Sequence, residues 1–102
     1  MGKLVKVAEA RDLTPGQGKL VEVDGKPIAL FNVKGAFYAL DAVCPHEGGP
    51  LQDGELDDNT VICPWHSFDY NLKTGECSAD PELRVATYPV KTEGNDVFIE
   101  VA

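Results

Sequence analysis

The chain has 102 residues, of which 43% are hydrophobic and 25% charged, a composition typical of one globular domain. Its formal net charge of −8 argues against nucleic-acid binding, which needs a basic face, and disfavours docking on anionic lipid. No segment is long and apolar enough to cross a bilayer, and the first ten residues lack the apolar core of a signal peptide. We therefore expect a monomer in the cytoplasm, where thiols stay reduced.

Short apolar runs recur along the chain with turn signals between them, and no window carries the period of an amphipathic helix. The only segment compatible with a turn of helix is 7–12, before Pro15. The predicted strands cover residues 4–8, 20–23, 28–33, 37–40, 60–62, 67–72, 83–91 and 97–101. This pattern predicts an all-β fold in a single domain that spans residues 1–102.

Several turn signals separate these runs. Asp24-Gly25 and Lys34-Gly35 predict tight hairpin turns, in which glycine readily adopts the positive φ that the turn needs. Gly94-Asn95-Asp96 predicts another turn, and Pro89 predicts a sheet edge or a bulge inside the run 83–91.

Two stretches break the strand pattern. Residues 44–58 contain three glycines and two prolines, and residues 75–82 are also irregular. A long loop in a compact domain is usually functional or disordered. The unusual chemistry of the chain is concentrated in and beside these two stretches.

Both histidines of the chain, and two of its three cysteines, fall in two short motifs, Cys44-Pro45-His46 and Cys63-Pro64-Trp65-His66. An odd number of cysteines excludes a complete disulfide framework, so metal ligation is the better interpretation for at least two of them. The third, Cys77, lies outside both motifs, and we interpret it as a partly buried free thiol.

Two kinds of metal centre fit a donor set of two thiolates and two imidazoles. One is a structural tetrahedral zinc site, and the other is a [2Fe-2S] cluster. Zinc sites more often use C-x-x-C knuckles, so the paired C/H motifs favour the cluster. Gly48 and Gly49 lack Cβ atoms, which would let the backbone approach an inorganic sulfide closely.

The motif C-x-H followed by C-x-x-H, together with residues 67–75, resembles the Rieske family from about Val21 to the C-terminus. The resemblance implies an antiparallel β sandwich with a small cluster-binding subdomain at about residues 42–83. It implies that the two cysteines bind one iron of a [2Fe-2S] cluster and the two histidines bind the other. The implied ligands are Cys44, His46, Cys63 and His66.

Rieske proteins of quinol-oxidising complexes differ from this chain at identifiable positions. The disulfide that joins their ligand loops is absent here, where Gly49 and Trp65 occupy the matching positions. Their serine near the cluster is Phe68 here, while their tyrosine has a match in Tyr70, which could equally be a core aromatic residue. These departures predict a ferredoxin in the lower part of the Rieske range, roughly −150 mV upward.

No candidate catalytic triad remains once both histidines are assigned as ligands, so we expect an electron carrier and not an enzyme. The resemblance implies transfer of single electrons from a flavoprotein reductase to a terminal oxygenase or reductase. Two alternatives stay open, the small subunit of an assimilatory nitrite reductase and a redox-silent, zinc-stabilised interaction module. Five acidic residues could steer a basic partner or simply form a solvated loop, namely Glu47, Asp53, Glu55, Asp57 and Asp58.

Overall fold

The computed structural model describes residues 3–43, 50–57, 59–64, 68–78, 80 and 82–101. Ten strands form the described part of the chain, with two short 3-10 turns at Ala10–Asp12 and Leu51–Asp53. The strands are β1 (Lys3–Glu9), β2 (Gly18–Val23), β3 (Lys26–Val33), β4 (Ala36–Asp41), β5 (Glu55–Asp57), β6 (Thr60–Ile62), β7 (Asp69–Asn71), β8 (Thr87–Tyr88), β9 (Val90–Glu93) and β10 (Asp96–Val101). The all-β prediction is confirmed, and no α-helix occurs within these ranges.

The strands form three antiparallel sheets. One sheet has the order β1-β10-β9, the second β2-β3-β4-β8, and the third β5-β6-β7. Most of the paired strands follow one another in the sequence. The pairing of β1 with β10 instead brings together the first and the last strand. No helix among the described residues could span a membrane.

Strand β3 is buried on both faces, which explains why its sequence is an almost continuous apolar run. Ile28 and Leu30 point to one side of the central sheet, and Ala29 and Phe31 point to the other. All four side chains are fully buried. The central sheet is therefore the middle layer of the domain.

Two hydrophobic cores lie on the two sides of this sheet. The core against the sheet of β1, β9 and β10 is called the sandwich core here, and its buried members are Ala8, Leu13, Val21, Val23, Ile28, Leu30, Ala39, Val97, Ile99 and Val101. The core against the sheet of β5, β6 and β7 is called the site core, and its buried members are Ala29, Phe31, Leu40, Ala42, Leu51, Val61, Cys63, Tyr70, Leu72, Cys77 and Val85. Burying each large apolar side chain contributes roughly 1.5–3 kcal/mol to either core.

The two predicted hairpin turns are present in the central sheet. Asp24 and Gly25 have φ of 52° and 81°, and Lys34 and Gly35 have φ of 53° and 93°. Positive φ at both central residues is the geometry of a type I′ turn, whose twist matches that of the flanking strands. The third turn joins Glu93 to Asp96, so its last predicted residue is the first residue of β10.

The structure differs from the strand predictions in three places. Within the predicted run 67–72, the strand among the described residues is Asp69–Asn71 alone. The predicted run 83–91 is interrupted at Pro89, and β8 and β9 on its two sides belong to different sheets, because proline cannot donate a ladder hydrogen bond. Strand β5 was missed, since Glu55 and Asp57 have low strand propensity and flank the single apolar residue Leu56. Its pairing with β6 stabilises it in the folded protein.

Candidate metal centre

The structure describes one of the four predicted ligands. Cys63 lies at the end of β6 and is buried in the site core, with 1% of its surface exposed. The other three predicted ligands lie outside the described residues, namely Cys44, His46 and His66.

The first ligand motif lies in a segment whose two ends are paired with each other. Val43 and Pro50 form an antiparallel bridge, and the amide of Leu51 donates a hydrogen bond of 2.8 Å to the carbonyl of Ala42. The amide of Ala42 in turn donates to the carbonyl of Pro27 at 3.1 Å. The backbone on both sides of residues 44–49 is therefore fixed to the central sheet.

The second ligand motif is closed in the same way. The amide of Cys63 donates a hydrogen bond of 2.8 Å to the carbonyl of Phe68, and the preceding pair is Ile62 with Asp69 on strands β6 and β7. Cys63 and Phe68, which flank this segment, thus lie at the same edge of the small sheet.

Both segments start from one layer of the molecule. Ala42 and Leu51 at the ends of the first segment, and Cys63 at the start of the second, are all buried members of the site core. Gly54 supports this packing, because a Cβ atom there would collide with the carbonyl oxygen of Ile62 and approach Val61 Cγ2 to 2.8 Å. A side chain at Gly54 would thus push the first segment away from β6.

A third segment follows β7 and ends in β8. The side-chain oxygen of Asn71 accepts hydrogen bonds from the amides of Lys73 at 2.8 Å and Thr74 at 3.1 Å, which fixes the turn after β7. Gly75 follows with φ of 79°, and a Cβ atom there would collide with the carbonyl oxygen of Val85. This position requires glycine for both its conformation and its close contact.

Two aspartates that the sequence analysis did not single out tie this third segment to the others. The hydroxyl of Ser78 donates to the carboxylate of Asp69, and the amide of Ser78 donates to the Asp69 carbonyl at 3.1 Å. The hydroxyl of Tyr88 donates to Asp41 Oδ1 at 2.6 Å. Burial, followed by the hydrogen bond and the charge of Asp41, raises the pKa of Tyr88 to about 12.

The other residues singled out in the sequence divide into several groups. Cys77 is buried, with 4% exposure, whereas the sequence predicted a partly buried thiol, and Tyr70 is a fully buried member of the same core. Asp53, Glu55 and Asp57 are exposed. Residues lying outside the described part are Glu47, Gly48, Gly49, Asp58 and Trp65.

The exposed acids are spread along the small sheet. Glu55 is paired with Ile62, next to Cys63, whereas Asp57 is paired with Thr60 at the turn between β5 and β6. The turn lies at the opposite end of β6 from the ligand motif. Asp57 thus lies at the end of β5 next to this turn, away from the ligand motif.

Comparison with known proteins identifies the family. The family model of the Rieske [2Fe-2S] domain matches residues 3–89. The chain is 43% identical over 88 residues to the 3-phenylpropionate/cinnamic acid dioxygenase ferredoxin subunit of Shigella flexneri serotype 5b (strain 8401), and the match covers 83% of both chains.

Solved structures share the fold over almost the whole chain. A Mycobacterium tuberculosis protein described as an NADH-dependent nitrite reductase small subunit has a TM-score of 0.95 at 24% identity, covering 100% of this chain and 97% of that one. A chain in the complex of reduced oxygenase and oxidised ferredoxin of carbazole 1,9a-dioxygenase has a TM-score of 0.85 at 30% identity, covering 93% and 99%. The predicted Rieske-like sandwich is confirmed by these matches. The chain belongs to the Rieske [2Fe-2S] domain family, and it is an electron-carrying ferredoxin whose cofactor is a two-iron, two-sulfur cluster.

Proposed function

We propose that Cys44, His46, Cys63 and His66 hold the cluster, with the two cysteines on one iron and the two histidines on the other. When bound, the cluster accepts and releases one electron at a time. The observation that carries this assignment is the buried position of Cys63 at the closed base of the second segment. Its thiol is shielded from bulk water at a point where the backbone is already fixed.

The chain's own residues also explain how two separate segments can serve one centre. Each segment is closed by backbone pairing, at Val43–Pro50 and at Cys63–Phe68, and both start from the site core. Folding therefore removes part of the conformational entropy of these segments before any cofactor binds. In our proposal, residues 42–83 form the cluster-binding subdomain of a single domain that spans the chain.

The partners that we propose are a flavoprotein reductase as electron donor and a terminal oxygenase as acceptor. The support is the 43% identity to a dioxygenase ferredoxin subunit and the 30% identity to a chain found in an oxygenase–ferredoxin complex. The Mycobacterium tuberculosis nitrite reductase small subunit, at 24% identity, supports the fold alone, and a nitrite reductase small subunit at 26% identity keeps that role as the alternative. We further propose that the protein acts as a monomer in the cytoplasm.

The first experiment is direct voltammetry of the purified protein, with iron and acid-labile sulfide measured on the same sample. We expect a reversible one-electron wave in the lower part of the Rieske range, roughly −150 mV upward. Zinc without sulfide, and no wave, would overturn the ligand proposal in favour of a structural zinc module.

The partner proposal has a separate test. Electron transfer to the oxygenase of a 3-phenylpropionate/cinnamic acid dioxygenase system is measured with its reductase and this ferredoxin in place of its own. We expect turnover that depends on this protein. A pull-down from native cells that recovers a stoichiometric large reductase subunit, with no support of oxygenase turnover, would contradict the free-carrier proposal.

A further inference from the structure

The segment after β7 contacts a residue that follows the second ligand motif, Asp69, and a residue that precedes the first, Asp41. We call residues 76–78 and 82–88 the connecting segment. Near its start, the amide of Asn71 donates to the carbonyl of Glu76 at 2.9 Å, and Tyr70 bridges Cys77. Near its end, Thr87 and Tyr88 pair with strand β4. The connecting segment therefore joins the small sheet to the central sheet.

Each end of the connecting segment is hydrogen-bonded to a different aspartate. Asp69 lies three positions after His66 and receives both the hydroxyl and the amide of Ser78. Asp41 lies three positions before Cys44, and its carboxylate receives the hydroxyl of Tyr88 at 2.6 Å.

Asp41 makes two further bonds to the same segment. Its Oδ2 accepts the amide of Ala86 at 3.2 Å, and its own amide donates to the carbonyl of Ala86 at 3.0 Å. Hydrogen bonds to a charged group are stronger than bonds between neutral groups. The two carboxylates thus fasten the connecting segment to residues beside both ligand motifs.

The connecting segment is itself held in a defined shape. The amide of Cys77 donates to the carbonyl of Leu83 at 3.1 Å, and the amide of Val85 donates to the carbonyl of Gly75 at 2.8 Å. The backbone between Ser78 and Ala86 is therefore held by these two hydrogen bonds.

We propose that Asp41 and Asp69 are paired positioning residues, which set the relative position of the two ligand motifs by fastening both to the connecting segment. The proposal rests on the ligand assignment given above. Neither aspartate touches the cluster in this scheme. Each acts through the backbone of the motif that lies three residues away.

The test uses Tyr88→Phe and Ser78→Ala, because these changes remove one hydroxyl each and leave the charge of both aspartates unchanged. A shift in potential then reports position and not charge. The matched control is Thr60→Val, which also removes a hydroxyl bond, from Thr60 Oγ1 to the carbonyl of Asp57 at 2.8 Å. Thr60 is likewise three positions before a proposed ligand, Cys63, but its bond stays within the β5–β6 turn.

Three properties are measured on the holoprotein, namely the reduction potential, the g values of the reduced cluster in electron paramagnetic resonance, and the rate of cluster loss. In Tyr88→Phe and Ser78→Ala we expect shifted g values, a shifted potential and cluster loss roughly tenfold faster, as for one lost bond to a charged group. Thr60→Val should keep the wild-type g values and potential.

Two results would overturn the proposal while leaving the cluster assignment intact. One is wild-type g values and potential in either folded test variant, and the other is an equal shift in all three variants. Wild-type protein without any cluster signal would instead remove the ligand assignment and this inference together. Since Ser78 is exposed, Ser78→Ala decides the question even if Tyr88→Phe fails to fold.

Discussion

The amide of Cys63 donates a hydrogen bond of 2.8 Å to the carbonyl of Phe68, and this bond pairs the residues on the two sides of the second ligand segment. The pairing involves backbone atoms alone, so it can form before the cofactor is present. Phe68 also packs against the site core, which contains Cys63 itself. The cysteine is therefore held from two directions, by its backbone and by the packing of its neighbours.

The two described cysteines allow a matched test of ligand identity. Cys63 and Cys77 are both buried in the site core, with 1% and 4% exposure. We expect Cys63→Ser to lose the cluster and Cys77→Ala to retain it, because only Cys63 lies in a ligand motif. Iron and acid-labile sulfide are determined per chain. Full iron content in Cys63→Ser, or loss of iron only in Cys77→Ala, would contradict the assignment.

His66→Cys tests the imidazole ligands. A thiolate adds negative charge to the centre, so the potential should fall if the cluster is retained. Voltammetry measures the potential. An unchanged potential in fully loaded protein would show that His66 is not a ligand.

Tyr88 predicts a loss of stability at alkaline pH. Its pKa is raised from 10.0 to about 12 in the folded protein, so the folded state keeps a proton that the unfolded state releases. The stabilisation is complete below pH 10 and is lost as the pH rises from 10 to about 12. Denaturant unfolding at several pH values should show this decline in wild type and a flatter profile in Tyr88→Phe. Parallel profiles in the two proteins would contradict the expectation.

Gly75 and Gly16 separate steric collision from backbone strain. Both have positive φ, 79° and 90°, but a Cβ atom at Gly16 meets nothing within 4 Å, whereas one at Gly75 collides with Val85. We expect Gly16→Ala to cost about 1–2 kcal/mol of unfolding free energy from the left-handed conformation alone. Gly75→Ala should cost clearly more, and equilibrium urea unfolding compares the two. Equal costs would mean that the chain near Val85 moves aside without penalty.

Packing of β3 gives a prediction for the central sheet. Leu30 is fully buried in β3, while Leu20 in the neighbouring β2 is 50% exposed. Leu30→Ala should lower the unfolding free energy by about 2–5 kcal/mol, since it creates a cavity. Leu20→Ala should have a small effect. Both are read from urea midpoints, and similar losses in the two variants would argue against the described burial.

The parts of the structure that the sequence predicted are those encoded locally. Asp24-Gly25 specifies a hairpin turn within two residues, and the fully buried β3 shows as an apolar run. Strand β5 could not be predicted in this way, because Glu55 and Asp57 become a strand only through pairing with β6.

The candidate site divides in the same manner. The motif spacing predicts Cys63 as a ligand, and the assignment stays a proposal, whereas Asp41 and Asp69 were not singled out from the sequence. Their roles depend on Tyr88 and Ser78, which are 47 and 9 positions away in the chain. The only available sequence signal was their distance of three residues from a ligand motif, and aspartate at such a distance is common on any acidic surface.

Burial of β3 on both faces has a consequence for how the protein unfolds. Because alternate side chains of this one strand belong to the sandwich core and to the site core, neither core can separate from the other as an independent unit. The amides of β3 should exchange with solvent deuterium only through global unfolding, as slowly as any in the chain. The domain should therefore melt in one cooperative step, with the ligand segments leaving together with the sandwich.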